Sequence, residues 1–237
     1  MKKKNIQLPS EYLNSRPELI ETWDSIKKLI FNITPIGAAL HEILFELPSK
    51  IQQKRINDTV ELISKNLKNI EENSIDKKYL KSEDFYDFTR KLFQESLKVQ
   101  SKEKRTLLSN IYTSAIIKNE SFDNGRSQFF MRIVSDIFIE EILILKYIEE
   151  NEYKLKKISN YINFYDHFKQ KNSNWYKGEY DFKYFCLNLE NKSLISTGSG
   201  LKDFRSKSSF IALENHEEPS VTVTPLGKKF IDYISFK

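Results

Sequence analysis

Two short segments near the end of the chain decide the fold: Asn188–Ile195 (NLENKSLI) and Val221–Phe230 (VTVTPLGKKF). The first contains the end of a helical pattern, which closes on a leucine and continues into a short apolar strand. In the second, β-branched residues stop at Thr224-Pro225, where proline suits the first turn of a new helix. The order along the chain is therefore helix, strand, polar excursion, strand, helix.

The excursion between the two strands contains glycine. Gly198 and Gly200 suit the tip of a wing, because glycine accepts backbone angles that other residues avoid. This order is typical of winged-helix modules, in which the third helix enters a groove of a nucleic acid and the wing touches phosphates. Many such modules contact proteins instead. The tail is thus predicted to be a winged-helix-like domain that recognises a partner macromolecule.

The composition favours helices joined by short connections. The chain has 237 residues, of which 39% are hydrophobic and 30% charged, with 6 Gly and 6 Pro. This length allows one large or two small domains, each with its own core. The predicted fold class is mainly α: an N-terminal helical bundle over residues 1–120, then a C-terminal winged-helix-like domain with a small β-hairpin over residues 121–237.

Regular apolar spacing predicts the helices of the N-terminal region. Pro17 is placed to start a first helix, and Thr34-Pro35 caps a second one. A longer third helix has apolar residues spaced alternately by four and three positions, which predicts a seam that a neighbouring helix fills. The residues of this seam are Ile56, Val60, Ile63, Leu67 and Ile70.

Two serine caps organise the next part of the chain. Ser82, followed by Glu83 and Asp84, is predicted to begin a helix, because serine caps the first amide groups and acids complement the helix dipole. Ser101 is predicted to begin the next helix in the same way. The helices expected after these lie near 128–150, 153–169 and 179–190.

Basic and polar side chains of the tail are the candidates for binding. The chain has a formal net charge of +5, and residues 151–237 hold fourteen basic and ten acidic residues. Clustered cations on a protruding hairpin can neutralise several phosphates, although acidic residues interrupt the basic pattern here. The candidates for nucleic-acid or partner binding are Lys177, Lys183, Asn188 and Lys192, on or beside the third helix of the tail, and Lys202, Arg205 and Lys207 in the wing.

Residues typical of catalysis or metal binding are scarce in the sequence. His41, His167 and His216 lie far apart, which does not match the ligand spacing of a zinc site. Neither a glycine-rich phosphate loop nor a Gly-x-Ser-x-Gly motif occurs. We therefore expect a non-enzymatic protein with no metal, no cofactor and no catalytic residue.

Cysteine usage and the start of the chain indicate the compartment. Cys186 is the single cysteine, and its apolar neighbours favour a place in the core. One cysteine cannot form an intrachain disulfide, which fits a reducing compartment. The basic residues of Met1–Lys4 are not followed by an apolar stretch, so no signal peptide is expected. The expected location is the cytoplasm.

Two blocks of the sequence carry a family resemblance. The first is Pro35–Pro48, which continues into Lys54-Arg55 and is accompanied by Ser101–Arg105; the second is the tail, which ends in Thr224–Phe230. Together they cover about half of the chain and resemble the Abi-alpha-like group of small bacterial proteins, which are associated with abortive infection and mobile elements. The resemblance implies an all-α body, a winged-helix-like end and a role in antiphage defence. It carries over no active-site residue.

Three functions remain open from the sequence. The favoured one is a bacterial interaction protein, linked to antiphage defence, whose tail binds a protein partner or a second copy of the chain. The alternative is a DNA-binding transcriptional regulator that uses the same tail. The second alternative is a membrane-perturbing abortive-infection effector. Residues 29–47 are nearly long enough to span a bilayer but contain Glu42 and Glu46, so a core helix hairpin is the favoured interpretation and a membrane the least favoured partner.

Overall fold

The computed structural model describes residues 49–68, 70, 74–76, 78–117, 124–155, 161–197 and 221–235. These residues are mainly helical and include one antiparallel sheet of two strands, which confirms the predicted class at that level. The chain divides into two compact units: the first ends at Asp136 and takes in the last residues from Tyr233, and the second is Ile137–Asp232. The domain boundary expected between residues 120 and 121 stays a prediction. The two helices and the membrane segment expected before residue 49 lie outside the described residues.

Helix α1 (Lys50–Leu67) opens the described part of the first unit. Ser49 caps this helix, because its side chain accepts a hydrogen bond from the backbone amide of Gln52 at 3.2 Å. The seam predicted from the sequence is confirmed for four of its five members, which lie within α1 and are buried. These are Ile56, Val60, Ile63 and Leu67. The fifth, Ile70, lies beyond the end of α1 and is half-buried.

Three further helices belong to the described part of this unit. Their bounds are Glu83–Lys98 for α2, Lys102–Ile116 for α3 and Asn124–Asp136 for α4, and a short 3-10 helix, Tyr79–Lys81, precedes α2. Both predicted serine caps are confirmed: Ser82 accepts a hydrogen bond from the amide of Phe85 at 3.2 Å, and Ser101 accepts one from Lys104 at 3.1 Å. Helix α1 packs against α3, and both α2 and α3 pack against α4.

Two arginine side chains bind the carbonyl groups at the end of α2. Arg105 donates to the carbonyl oxygen of Gln100 at 2.9 Å and forms an ion pair with Asp58 at 2.9 Å. Arg55 donates to the carbonyl oxygen of Leu97. Carbonyl groups at a helix end lack partners within the helix, so these contacts satisfy them. Both arginines belong to the first of the two sequence blocks described above, and their contacts connect α1 and α3 to the end of α2.

Helix α5 (Ile139–Leu155) opens the second unit. The continuous helix predicted near 128–150 is wrong, because the chain leaves the helical conformation at Ile137 and Phe138. Glu141 stabilises this break: its buried carboxylate accepts a hydrogen bond from the backbone amide of Phe138 at 3.0 Å. A first-turn carboxylate that binds the amide before a helix is one half of a capping box, so α5 begins anew at this point.

Helices α6 (Tyr161–Lys171) and α7 (Glu179–Asn191) follow. Helix α7 confirms the prediction near 179–190. The helix predicted near 153–169 starts later, since α5 continues to Leu155. Asn151 fits inside α5 because its side-chain amide donates to the carbonyl oxygen of Tyr147 at 2.9 Å.

The two predicted strands pair as neighbours. Strand β1 (Ile195–Thr197) runs antiparallel to β2 (Val221–Val223), with Ile195 opposite Val223. Helix α8 (Pro225–Ile234) starts directly at the proline, as predicted. Within the second unit, α5 packs against α6, α7 and β2, and α7 packs against β1, so the sheet is held on the same helices that form the core.

The turn between α7 and β1 has a backbone geometry that glycine usually provides. Ser193 has a φ of 58°, in the left-handed region. The amides of Ser193 and Leu194 donate to the carbonyl oxygens of Glu190 and Leu189 at 2.8 and 3.0 Å. This pair of bonds defines a Schellman motif, whose second residue is usually apolar, as Leu194 is.

Replacing Ser193 with glycine is expected to raise the free energy of unfolding by about 0.5–1 kcal/mol, because glycine adopts the left-handed conformation without a clash at Cβ. Urea denaturation of the two proteins measures the difference. Ser196→Gly, in the middle of β1, is the matched control and is expected to lower the free energy of unfolding by a similar amount. Equal destabilisation by both substitutions would contradict the assignment.

Candidate partner-binding surface

Helix α7 has one buried and one exposed face. Gly178 precedes it, and the backbone amide of Gly178 donates to the carboxylate of Asp181 at 3.2 Å, which fixes the start of the helix. The side chains that face the core are all buried, and they anchor α7 in the second unit. These are Phe182, Phe185, Cys186 and Leu189.

The opposite face presents exposed tyrosine side chains. Tyr180 is 87% exposed and Tyr184 is 53% exposed. Tyr176, in the loop before α7, is 83% exposed. Residues four apart on a helix lie on the same face. Exposure of a large aromatic ring to water is unfavourable. Several exposed rings close together therefore indicate a contact surface.

Phe138 extends this surface to the start of α5. Its side chain is 48% exposed, and its ring lies 5.7 Å from that of Phe185. The ring of Tyr184 lies 5.8 Å from the same Phe185 ring, so these two exposed rings pack on one buried ring. We call the set Phe138, Tyr176, Tyr180 and Tyr184 the aromatic patch.

Lys177, one of the predicted binding residues, is engaged within the protein. Its ammonium group lies 3.2 Å from a carboxylate oxygen of Glu140. It also lies over the rings of Tyr176 and Phe185, at 5.2 and 5.7 Å from their centroids. The hydrogen bond with Glu140 raises the pKa of the Lys177 ammonium group. Lys177 therefore ties the loop before α7 to α5 and supports the aromatic patch.

The other predicted residues of α7 do not lie on a single face. Lys183 and Asn188 are five positions apart, which places them about 140° apart around the helix axis. Asn188 and Lys192 are four positions apart and share one flank. All three are partly exposed. The predicted wing residues Lys202, Arg205 and Lys207 lie outside the described residues.

In the described part of the second unit, the cysteine and the tyrosine–histidine pair contribute to the packing of the core. Burial raises the pKa of the Cys186 thiol above its ordinary value, which disfavours the thiolate, and the predicted core position of Cys186 is confirmed. The hydroxyl of Tyr147 contacts Nδ1 of His167, and burial raises the pKa of Tyr147 to about 12. A neutral tyrosine in that position serves as a hydrogen-bonding group between α5 and α6.

Charges in the second unit nearly balance where the structure describes them. Residues 137–155, 161–197 and 221–232 contain nine basic and ten acidic residues. Among the described residues, no group of three potential ligands is arranged to hold a metal ion. Over the same part of the chain, no helix combines the length and apolar character needed to cross a membrane. The described part of this surface therefore combines exposed aromatic rings with charges of both signs.

Comparison with protein-family models, with curated proteins and with solved structures gives no match for this chain.

Sequence reasoning missed the aromatic patch. The tyrosines of α7 stand out in the sequence only as part of a region rich in aromatic residues. A usable signal was the separation of residue types: Tyr180 and Tyr184 lie four positions apart, whereas Phe182 and Phe185 lie between and beyond them on the other face. The tyrosine hydroxyl can bind water, whereas the phenylalanine ring has no polar group. The positions of the two residue types therefore indicate which face of α7 is exposed.

Proposed function

We propose that the protein is a non-enzymatic bacterial interaction protein whose tail is a winged-helix-like module that recognises a protein partner. The order of elements supports the winged-helix-like assignment: three helices, α5 to α7, precede two antiparallel strands, and α8 follows. In this assignment α7 is the third helix, which in winged-helix modules is the usual recognition element. The segment between β1 and β2 would be the wing.

The aromatic patch is the observation that carries this proposal. Tyrosine and phenylalanine are enriched in protein interfaces, where rigid aromatic side chains supply much of the binding energy. Here Tyr180 and Tyr184 are exposed on α7, the proposed recognition helix, and the other two are exposed in the segments just before α5 and α7. The near balance of charge in the described part of this unit favours a protein partner, since nucleic-acid surfaces require a marked basic excess.

The link to antiphage defence rests on the resemblance of the two sequence blocks to the Abi-alpha-like group. A bacterium that expresses the chain should resist at least one phage in a panel, measured as a lower efficiency of plating. Substitution of Tyr180 and Tyr184 by alanine should abolish the resistance if the aromatic patch binds the partner. Equal plating with and without the chain across the panel would contradict the role in defence.

A photo-crosslinking amino acid at Tyr180 is expected to capture the partner in cells of the native host. The same amino acid at Tyr153, which is 75% exposed on α5, is the matched control and should give no such product. Tyr184→Ala in the Tyr180 crosslinking variant should reduce the yield at least about tenfold, because a buried interface aromatic contributes about 2 kcal/mol or more. Equal products at both positions would overturn the proposal.

DNA binding is tested with the same protein. Duplex DNA that binds at low salt, with an affinity that falls steeply as salt rises, would replace the proposal by the regulator function. That binding should then decrease when Lys202, Arg205 and Lys207 are neutralised. If partner recognition is correct, duplex DNA binds no better to the unchanged protein than to the triple-neutralised variant.

A further inference from the structure

We propose that the partner of the exposed face of α7 is the α7 helix of a second copy of this chain, packed antiparallel around a twofold axis. This inference rests on the proposed function and names its partner. The stripe of side chains at the centre of the face and the charges on its two flanks support this pairing.

The central stripe runs along the whole of α7. Its members follow one another at intervals of four, three and four positions, which keeps them within about 60° around the helix axis. They extend over about 16 Å, a length that suits the pairing of two helices of this size. These residues are Tyr180, Tyr184, Leu187 and Asn191, and the first, second and fourth are exposed.

The charges on one flank change sign along the helix. Asp181 is exposed near the start of α7, and Lys192 lies at its end, where its amide still donates to the carbonyl oxygen of Asn188 at 3.0 Å. These two residues are eleven positions apart and therefore only about 20° apart around the axis. An antiparallel pair of such helices brings the acidic end of each flank to the basic end of the other.

A twofold axis that passes between Cys186 and Leu187 brings opposite charges together on both flanks of the contact. In that register Asp181 of each copy faces Lys192 of the other, since both lie equally far from the axis. The same register sets Lys183 opposite Glu190 on the other flank, where the two residues again share one side of the helix. One oxygen of the Glu190 carboxylate accepts a hydrogen bond from the Thr197 hydroxyl, and the other oxygen would face Lys183. Isologous pairing repeats every contact, so the four ion pairs follow from two residue pairs.

A parallel arrangement of the two helices lacks this complementarity. It would set Asp181 beside the same residue of the second copy and Lys192 beside Lys192, which opposes association. It would also align the helix dipoles, whereas an antiparallel pair sets each positive end against a negative end. The charges of α7 therefore favour one orientation, and Tyr184 and Leu187 lie at the centre of the contact.

Light scattering and sedimentation of the full chain at about 1–100 μM test the pairing. The wild-type protein is expected to dimerise in this range. Lys192→Asp should raise the dissociation constant at least about tenfold, because it sets like charges together twice. Asp181→Asn in the Lys192→Asp variant removes the like-charge contact, and its amide oxygen can still accept from the Gly178 amide, so association should recover by about threefold or more relative to Lys192→Asp alone. Tyr153→Ala is the control and should leave association unchanged.

A cysteine crosslink gives a second measurement that does not depend on charge. Leu187 lies next to the proposed axis, so Leu187→Cys should form a disulfide between two copies on mild oxidation. Tyr153→Cys, on an exposed part of α5, should not, and the native Cys186 is buried. A monomer at 100 μM in low salt, or a dimer that Lys192→Asp does not weaken and Leu187→Cys does not crosslink, would overturn the inference. A monomer that still crosslinks at Tyr180 to another protein would refute the pairing of copies and leave partner recognition intact.

Discussion

Gly227→Ala is expected to lower the free energy of unfolding by about 3 kcal/mol, one of the two largest effects we predict for a single substitution in this protein. A methyl group at this position would lie 2.0 Å from the carbonyl oxygen of Leu194 and 2.7 Å from Cγ1 of Val223. Neither neighbour can move away freely. The Leu194 carbonyl accepts the amide of Thr224 at 3.1 Å, and Val223 is buried in β2. The helix and the sheet would have to separate.

Urea denaturation followed by circular dichroism measures this effect. Gly178→Ala is the matched control, because the nearest atom to an added methyl group there is an oxygen of Asp181 at 4.0 Å. That substitution should change the free energy of unfolding by less than about 1 kcal/mol. If both variants unfold at the same urea concentration, the close approach of α8 to the turn between α7 and β1 does not constrain the fold.

The features of the fold that could be predicted depend on neighbouring residues in the sequence. Ser82 and Ser101 cap the helices that follow them, and the alternation in Val221–Val223 defines a strand whose pairing with β1 is observed. These signals are local because a cap or a strand pattern acts within a few residues. They give the correct elements before any tertiary contact is known.

The errors arise where a buried polar contact overrides the apolar pattern. Residues 128–150 show a continuous helical pattern, and the break at Phe138 depends on the carboxylate of Glu141, which is buried in the core. In the sequence, the pair Glu140-Glu141 has the appearance of a solvated helix surface. Adjacent residues on a helix point about 100° apart, so one of the two can be exposed while the other is buried.

The candidate surface was harder to predict than the fold. Sequence reasoning weighted the cations of the tail, and the structure shows that Lys177 is engaged with Glu140. Exposure of Tyr180 and Tyr184 depends on which face of α7 meets the core, and a single helix rich in aromatic residues does not reveal that face until Phe182 and Phe185 are placed. The residue types were visible in the sequence, but their partition between core and surface was not.

Glu95→Gln is the second substitution for which we expect a large effect, a loss of about 2–3 kcal/mol in the free energy of unfolding at neutral pH. The carboxylate of Glu95 is buried and binds the ammonium groups of Lys91 and Lys98 at 2.6 and 3.0 Å. Its other oxygen accepts a hydrogen bond from the hydroxyl of Ser135 at 2.6 Å, which joins α2 to α4. The amide of glutamine keeps the shape but loses the charge and places a donor against one of these donors.

The dependence on pH separates the charge of Glu95 from its packing. Burial alone would raise the pKa of this carboxyl, but the hydrogen bonds from Lys91, Ser135 and Lys98 outweigh it and lower the pKa below its ordinary value of 4.5. The unfolded chain therefore takes up the proton first as the pH falls. The stability from Glu95 is fully present well above pH 4.5 and is lost as the pH falls through the folded-state pKa.

It follows that the difference between the wild type and Glu95→Gln should shrink as the pH is lowered from 7 to about 3, with most of the decrease below pH 4.5. Glu61→Gln, on the exposed side of α1, is the matched control and should change the free energy of unfolding by less than about 0.5 kcal/mol at either pH. A difference for Glu95→Gln that stays constant with pH would mean that the site depends on packing alone. A decreasing difference identifies the carboxylate charge as the group that holds α2 and α4 together.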